Sequence, residues 1–262
     1  IPIFKNAIKT HTNSARDSIL NYILNTGDIN FIKGKQIFIQ GSPILKNQNG
    51  IKIGRLSGIV AHHVPFYLRH SRMPSWDVNC IEDWEEKINA IVDQTINQNM
   101  TLISGIPPWV QMYFEKIIEK SGKQIGDVFK NFSLFIYGGV SFKPYKKIFD
   151  ELIGRKVNSI EVYPASEGFF AFQDQIDNDS MLLILNNHIY YEFIKVKDLL
   201  IGKKNYICLS DVKVGEDYAL VISTSSGLWR YDIGDTVQFT QLEPYRIIVT
   251  GRIKHFISAF GE

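Results

Sequence analysis

Apolar and polar residues recur along the chain at spacings that predict both helices and strands. Near the N-terminus, the spacing predicts a helix over residues 12–26, with Thr12 as its N-cap and Gly27 as its end. Residues 36–40 form a short apolar run and are predicted to be a strand. Residues 44–75 are rich in glycine, histidine and arginine, and we expect a loop with short elements there.

A second helix is predicted after a capping pattern. Asn79 and Glu82 have the spacing of a capping box, in which each side chain bonds to the backbone of the other residue. An apolar stripe at helical spacing follows, formed by Trp84, Ile88, Ile91 and Val92. The pattern therefore predicts a helix that begins close to Asn79.

From residue 100 the pattern alternates between strands and helices, which indicates parallel βαβ units. One helix is predicted to begin at Pro107-Pro108. Another follows Gly138-Gly139, has Pro144 near its start and ends at Gly154. The predicted strands that alternate with these helices are residues 100–103, 133–137 and about 157–163.

Beyond residue 168 the helical periodicity gives way to short β segments. Residues 181–185 and 189–193 are predicted to pair as a hairpin across Asn186-Asn187-His188. Further strands are predicted near residues 205–209, 218–224 and 245–250. The predicted fold class is α/β, with a parallel βαβ-type sheet flanked by helices over residues 1–168 and a β-rich, barrel-like section over residues 169–262.

Composition narrows the class of protein. The 262 residues are 45% hydrophobic, enough for a sizeable core. The net charge of +2 and the scattered lysines and arginines argue against a nucleic acid partner. Cys80 and Cys208 lack metal-ligand spacing, which favours a reducing, cytoplasmic location. No apolar run approaches the ~18 residues of a membrane span, so no membrane partner is expected.

Three successive predicted strands end in polar or glycine-rich turns, at Ser104-Gly105, Gly138-Gly139 and residues 165–168. In an open parallel sheet, ligands bind outside the carboxyl ends of the strands, so these turns are expected to converge. Ser166 and Glu167 would then face a ligand, with the Tyr163 ring able to stack on a base. The alternative is that Ser166 caps a turn and Glu167 is solvated.

A second polar cluster comprises Asp235 and, 17 positions later, Arg252. A carboxylate that accepts two vicinal hydroxyls is a common protein contact for ribose, and the fixed donors of arginine suit ribose or phosphate oxygens. Taken singly, Asp235 could be a turn residue and Arg252 a surface cation.

Three motifs in this order resemble those of a known family. Tyr163-Pro-Ala-Ser-Glu167, Tyr231-Asp-Ile-Gly-Asp235 and Gly251-Arg252-Ile253 are similar to motifs of the acyl acid amido synthetases of the auxin-responsive family. These enzymes belong to the adenylate-forming superfamily of acyl-CoA synthetases, adenylation domains and luciferases. Tyr190-Tyr-Glu-Phe-Ile194 resembles a strand of the same family, and Gly138-Gly139 falls where the superfamily has glycines beside adenine.

The resemblance implies ATP-dependent adenylation of a carboxylic acid, followed by transfer of the acyl group to an amino acid or another amine. It implies that Glu167 holds Mg²⁺ and that Ser166 donates to the α-phosphate of ATP. The expected nucleotide contacts are Tyr163, Gly138, Gly139, Asp235 and Arg252. The expected lining of the carboxylate pocket is Pro107, Trp109, Val110 and Tyr137, for which plain core packing is the alternative.

The sequence also departs from the family pattern. The family's Ser/Thr/Gly-rich phosphate loop is not found in it, so we expect the chain to begin just after that loop and to end, at Gly261-Glu262, near the hinge to a C-terminal domain. Asp232 stands where plant members usually carry arginine. The high content of asparagine, lysine and isoleucine favours a bacterial member.

Residues typical of other enzyme classes also occur in the chain, but without the arrangement that those classes need. Tyr191 and Lys195 satisfy the YxxxK pattern of short-chain dehydrogenases, but that chemistry needs the two on one helical face. His62, His63 and His70 lack the spacing of metal ligands, and Ser166 lacks a serine hydrolase elbow. A catalytically incomplete nucleotide-binding or scaffold module of the same fold remains the alternative.

Overall fold

The computed structural model describes residues 1–253, except for the side chain of Tyr67. The predicted hinge at Gly261-Glu262 lies outside the described residues. The helices are α1 Lys5–Thr26, α2 Leu56–Ala61, α3 Trp76–Cys80, α4 Trp84–Thr95, α5 Pro107–Ser121, α6 Ile125–Val128, α7 Lys146–Ile153 and α8 Val196–Leu200.

The strands of the described chain vary from two to twelve residues. They are β1 Lys35–Ile39, β2 Lys46–Gln48, β3 Ile51–Ile53, β4 Arg72–Met73, β5 Met100–Gly105, β6 Leu134–Gly138, β7 Asn158–Ala165, β8 Gly168–Phe172, β9 Met181–Leu183, β10 Ile189–Lys195, β11 Ile207–Cys208, β12 Asp217–Thr224, β13 Tyr231–Leu242 and β14 Tyr245–Arg252.

The chain divides into two compact units. We call residues 20–162 the βαβ unit, and residues 1–19 together with those from 163 onward the β-rich unit. The predicted domain division into residues 1–168 and 169–262 stays a prediction.

The βαβ unit is built on parallel strands in the order β4-β1-β5-β6-β7. Strands β5 and β6 are buried along their whole length, as expected of central parallel strands covered by helices. The apolar stripes of α4, α5 and α7 pack into one core with these strands. Helix α5 begins at Pro107 and ends at Gly122, which adopts the left-handed conformation typical of a C-cap.

The β-rich unit contains an antiparallel ladder in the order β11-β10-β12-β13-β14-β9-β8. Alternate residues of β12 point to opposite faces of this ladder. Tyr218, Leu220 and Ile222 lie in the main core of the unit, while Ala219 and Val221 lie in a smaller cluster with Ile194. The predicted fold class, α/β with a parallel βαβ-type sheet and a β-rich section, is confirmed.

Two predicted helix starts are wrong. Helix α1 begins at Lys5, and Thr12 lies inside it, where its hydroxyl donates to the backbone oxygens of Ile8 and Lys9. Asn79 lies in α3 and caps no other helix; instead, Asp83 caps α4 and accepts from the backbone N–H of Glu86 at 2.8 Å. Both errors arise because Ser, Thr, Asn and Asp at helical spacing offer several possible caps.

The predicted hairpin of residues 181–185 and 189–193 is also wrong. Strand β9 pairs with β8 and β14, whereas β10 pairs with β11 and β12. Asn187, in the segment between β9 and β10, is buried, and its side chain donates to the backbone of β8. This segment is therefore held against β8 and does not form a hairpin turn. Strands β8 and β13 were not predicted, because β8 follows directly on a polar turn and β13 begins with polar residues and glycine.

Over the described part of the chain, no helix is both long enough and apolar enough to cross a membrane.

Candidate functional site

In the β-rich unit, the carboxylate of Asp235 contacts two other polar residues, Tyr163 and Arg252. Asp235 accepts a hydrogen bond from the Tyr163 hydroxyl at Oδ2, over 2.7 Å, and an ion pair with Arg252 joins Nε to Oδ1 over 3.0 Å. The side chain of Asp235 is 12% exposed and that of Arg252 is 65% exposed. Asp235 is therefore held at both oxygens, and Arg252 extends its charge towards solvent.

Strand pairing creates the contact between Asp235 and Arg252. The two residues are direct partners in the antiparallel register of β13 and β14. Just before Asp235, Gly234 adopts φ +81°, and its N–H donates to the Asp232 carboxylate at 2.8 Å. The turn at Asp232 and Gly234 thus gives the start of β13 its shape, and Asp232 acts there as a turn residue.

Tyr163 is buried, and burial together with the negative charge of Asp235 raises the pKa of its phenol far above the usual range. The hydroxyl therefore stays protonated and acts as a donor to Asp235. The ring packs edge-on against Phe170, with centroids 5.0 Å apart. The predicted stacking of this ring on adenine stays a prediction.

Ser166 and Glu167 form the turn between β7 and β8, with Ser166 exposed and Glu167 half-buried. Glu167 also lines a cavity of about 20 Å³ in the β-rich unit. Its other lining residues come from the start of α1, from β8 and from the turns around β10 and β12: Asn6, Ala7, Thr10, His11, Gly168, Phe169, Asn187, His188, Ile189, Thr224, Ser225 and Ser226.

The predicted glycine turns of the βαβ unit lie at the ends of adjacent strands. Gly105 pairs with Tyr137, and Gly138 pairs with Val162 in the parallel register. A Cβ at Gly138 would lie 2.2 Å from the backbone oxygen of Val162, so only glycine fits there. Gly139 is exposed and adopts φ +82°. Two of the turns predicted to converge are thus neighbours in the sheet.

The predicted lining residues of the carboxylate pocket also lie in the βαβ unit. Pro107 and Val110 are buried in its core. Trp109 is partly buried and contacts Trp84, with ring centroids 4.6 Å apart. Tyr137 is buried and stacks on Phe142 at 4.3 Å.

A pair that the sequence did not predict joins Glu192 of β10 to Arg230. The carboxylate of Glu192 is buried and accepts from Nε and Nη2 of Arg230 at 3.0–3.1 Å. The guanidinium also lies over the Tyr206 ring, 4.7 Å from its centroid. Glu192 falls in the segment Tyr190–Ile194 that the resemblance had singled out and Arg230 directly precedes the motif at Tyr231, but nothing in their spacing pairs them.

The structure also places residues of the alternatives that the sequence analysis rejected. Tyr191 and Lys195 lie on a strand rather than a helix, and Lys195 forms an ion pair with Glu216 at 2.9 Å. His62 contacts the Pro43 carbonyl oxygen through Nε2 at 3.0 Å. Within residues 1–253, no three His, Cys, Asp or Glu side chains are grouped as metal ligands.

Comparison with known proteins matches part of the β-rich unit to a protein family. Residues 182–252, which contain Asp235 and Arg252, match the GH3 family central domain. An indole-3-acetic acid-amido synthetase GH3.3 of Arabidopsis thaliana is 34% identical over 82 residues, covering 30% of this chain and 14% of the relative. A jasmonoyl-L-amino acid synthetase JAR4 of Nicotiana attenuata is 32% identical over 120 residues, covering 44% of this chain and 21% of the relative.

Solved structures share the fold over nearly the whole chain. The GH3.15 acyl acid amido synthetase superposes with a TM-score of 0.71 at 14% identity, covering 96% of this chain and 54% of that protein. The same enzyme in complex with 2,4-DB gives a TM-score of 0.74 at 14% identity, covering 96% and 53%. The chain therefore spans about half the length of these enzymes, and its matched segments are at most about a fifth of the curated relatives named above.

The resemblance predicted from the three motifs is confirmed by independent matches of sequence and fold. Residues 182–252 match the family's central domain, and the fold of the chain is that of a solved amido synthetase. The chain is therefore similar to the GH3 acyl acid amido synthetases in the sequence of residues 182–252 and in its fold.

Proposed function

We propose that the protein is an ATP-dependent ligase that adenylates a carboxylic acid and transfers the acyl group to an amine. The observation that carries this proposal is Asp235, held between Tyr163 and Arg252 inside the segment that matches the GH3 central domain. Formation of an amide from an acid also agrees with two of the named relatives, which are amido synthetases. A cytoplasmic location stays a prediction.

Asp235 is suited to bind the ribose of ATP. Each carboxylate oxygen carries two lone pairs, so Asp235 can accept ribose hydroxyls in addition to its bonds with Tyr163 and Arg252. Those two partners also fix the rotamer of the carboxylate, so little side-chain entropy is lost when a ligand binds. Arg252, largely exposed, is proposed to contact the same nucleotide.

The first step, as proposed, joins the acid to the adenylyl group. A carboxylate oxygen attacks the α-phosphorus of ATP, the bond from that phosphorus to the bridging oxygen of the β-phosphate breaks, and pyrophosphate leaves with the electron pair. The protein has to align these groups and offset their charge. Ser166, exposed in the turn after β7, is proposed to donate to the α-phosphate.

Glu167 is proposed to hold Mg²⁺. The residue types fit, because magnesium is usually bound by one or two carboxylates together with phosphate oxygens of the substrate. Glu167 is a half-buried carboxylate next to the Ser166 hydroxyl. When bound, Mg²⁺ would offset the charge of the departing pyrophosphate.

The second step, as proposed, forms the amide. The amine nitrogen attacks the carbonyl carbon of the acyl-adenylate, and the bond from that carbon to the phosphate oxygen breaks, with its electron pair leaving on AMP. An amine that arrives as ammonium releases two protons to solvent in the process. For the acid itself, Trp109 is the best candidate for a lining residue, because it is only partly buried, whereas Pro107, Val110 and Tyr137 are buried.

The test is carboxylate-dependent exchange between ATP and pyrophosphate in the full-length protein, with a panel of aromatic and aliphatic acids. We expect exchange that needs an acid and that falls ~10²-fold or more in Glu167→Gln, because groups that stabilise charge at the reacting phosphate contribute a few kcal/mol. Exchange at an unchanged rate in this variant would remove Glu167 from the metal site. Absence of exchange with every acid would favour a nucleotide-binding or scaffold module instead.

A further inference from the structure

Arg230, directly before the motif that contains Asp235, has a backbone conformation that is unusual for a residue with a long side chain. Its φ is +43°, in the left-handed region, where a Cβ crowds the following carbonyl oxygen. Among residues other than glycine, asparagine and aspartate adopt this region most readily. A strained conformation of this kind persists only where surrounding contacts enforce it. The contacts of Arg230 therefore have to stabilise it.

Three contacts hold Arg230 in this conformation. Its backbone N–H donates to the Ser223 hydroxyl of β12 at 3.0 Å. Its guanidinium donates from Nε and Nη2 to the Glu192 carboxylate of β10, and the same group lies over the Tyr206 ring. Both the backbone and the far end of the side chain are thus fixed, and they are fixed to two different strands of the ladder.

Glu192 is the rigid partner in its pair with Arg230. It lies on β10, which pairs with β11 on one side and β12 on the other, and its side chain is 8% exposed. Arg230 is 62% exposed in its side chain and precedes β13. Nε of Arg230 donates to both oxygens of the carboxylate, and Nη2 donates to Oε1, so the guanidinium is held in a single orientation. The buried carboxylate therefore determines where Arg230 lies.

The chain between Arg230 and Asp235 leaves the regular ladder. Val221 of β12 pairs with Asp232, but Ala219 pairs with Thr236. A single residue of β12 thus lies opposite residues 233–235 of β13, which form a bulge. Because the pairing with β12 is interrupted at Asp235, the position of this carboxylate depends on the residues that anchor the two ends of the bulge.

Glu192 also lies in the row of residues at which the bulge begins. Glu192 pairs with Val221 across β10 and β12, and Val221 pairs with Asp232 across β12 and β13. Residues directly opposite one another in an antiparallel ladder lie on the same face, so Glu192 and Asp232 share a face. The pair with Arg230 therefore ties the chain to the ladder two residues before the last regular row, and Asp235 follows this row by three residues.

We propose that Glu192 and Arg230 are positioning residues for Asp235. Their ion pair holds Arg230 in the left-handed conformation, and this conformation directs the chain into the bulge that places the Asp235 carboxylate. Neither residue is proposed to touch ATP. The inference rests on the proposed function, in which Asp235 binds the ribose, and adds to it two residues that act through Asp235.

The test compares two substitutions that both remove the guanidinium. Arg230→Ala keeps the conflict between Cβ and the backbone, whereas Arg230→Gly adopts a positive φ freely. Calorimetric titration of the full-length protein with ATP and Mg²⁺ measures the Kd for ATP. We expect this Kd to rise about tenfold in Arg230→Ala and about threefold or less in Arg230→Gly. Arg16→Ala is the matched control with an unchanged Kd, because Arg16 is an exposed arginine of α1 paired with the exposed Asp17.

Folding is controlled separately, because both substitutions leave the Glu192 carboxylate without its arginine. Thermal unfolding identifies a temperature at which every variant is folded, and there a residue that only stabilises the fold leaves the Kd for ATP unchanged. The double variant Glu192→Gln with Arg230→Gly removes both charges and keeps glycine at the strained position. We expect it to bind ATP more tightly than Arg230→Ala.

Two outcomes would overturn the positioning role. One is a Kd for ATP in Arg230→Ala equal to that of the wild type. The other is an equal loss of affinity in Arg230→Ala and Arg230→Gly, since the guanidinium itself, rather than the backbone conformation, would then be what ATP binding requires.

The exchange reaction separates this inference from the proposed function. At saturating ATP and acid, we expect the exchange rate of Arg230→Ala to stay within about twofold of the wild type, because Arg230 acts on nucleotide affinity and not on the reacting groups. A wild type that binds ATP but shows no acid-dependent exchange would overturn adenylation alone, and the comparison of Kd values would still decide the positioning role. A wild type that does not bind ATP would overturn both.

Discussion

The Tyr163 hydroxyl donates to Oδ2 of Asp235 over 2.7 Å, although 72 positions of sequence separate the two residues. The bond joins the first and second motifs that relate this chain to the amido synthetases. The bond also holds the carboxylate that is proposed to bind ribose. Tyr163 is therefore a positioning residue for Asp235.

Tyr163→Phe should therefore impair ATP binding through Asp235. The variant keeps the ring and its packing on Phe170 but leaves Oδ2 of Asp235 without its donor. We expect the KM for ATP to rise and the free energy of unfolding to fall by about 1–3 kcal/mol, the usual effect of a buried acceptor left unsatisfied. Exchange kinetics and urea unfolding measure the two effects. Tyr231→Phe, at an exposed tyrosine of β13, is the control. An unaltered KM for ATP would argue against the positioning role.

Arg252→Gln should change nucleotide binding more than stability. Arg252 is 65% exposed, and exposed ion pairs contribute at most about 1 kcal/mol to folding. We expect a similar melting temperature and a higher KM for ATP, with an even larger increase in KM for Asp235→Ala. Thermal unfolding and the ATP dependence of the exchange rate provide the comparison. The proposed ribose contact fails if Asp235→Ala has the ATP affinity of the wild type.

Arg246→Met should destabilise the β-rich unit strongly. Arg246 lies on β14, and its Nε donates to the Asp174 carboxylate at 2.9 Å, with both side chains at least nine-tenths buried. Removal of one partner from a buried ion pair costs about 3–5 kcal/mol, because the other charge loses its ion-pair partner in a desolvated place. Urea unfolding should show this loss.

The double variant Arg246→Met with Asp174→Leu is the control for Arg246→Met. It should recover part of the lost stability, because both buried charges of the ion pair are removed together. A double variant less stable than Arg246→Met would mean that packing around the pair, rather than the uncompensated charge, causes the effect.

His11 should make folding stability depend on pH. Its pKa falls from 6.5 in the unfolded chain to about 4 in the folded protein. Between these values the unfolded state binds more protons, so the contribution of His11 is fully present above pH 6.5 and is lost as the pH falls towards 4. The total loss is about 3 kcal/mol from this one group, at 1.36 kcal/mol per pKa unit.

The variant His11→Leu should flatten the stability profile between pH 7 and pH 4.5. Urea unfolding at several pH values measures the profile, and His63→Leu, at an exposed histidine, is the matched control. The glutamate Glu216, whose pKa lies at about 2, affects the profile mainly below pH 4.5 and is common to all variants. Parallel profiles of wild type and His11→Leu would show that His11 is not buried in the neutral form.

Local sequence patterns predicted the alternating strands and helices of the βαβ unit from residue 100 onward. Helix α5 begins at Pro107 and strands β5 and β6 are buried runs, as the spacing of apolar residues indicated. These features depend on backbone chemistry and on burial of one face of an element. Both are determined by residues that are close together in the sequence. The ordered motifs at Tyr163, Asp235 and Arg252 likewise predicted the family.

The sequence by itself determined strands β5, β6 and β7 and helices α5 and α7 of the βαβ unit, and which family the chain resembles. The tertiary structure alone decided that β9 and β10 take different partners, that Tyr163 bonds to Asp235, and that Asn187 and Thr224 line one cavity. The physical reason is that the antiparallel ladder joins segments far apart in sequence. Which side chains meet there depends on the strand order and register of the whole ladder, which no local spacing of residues specifies.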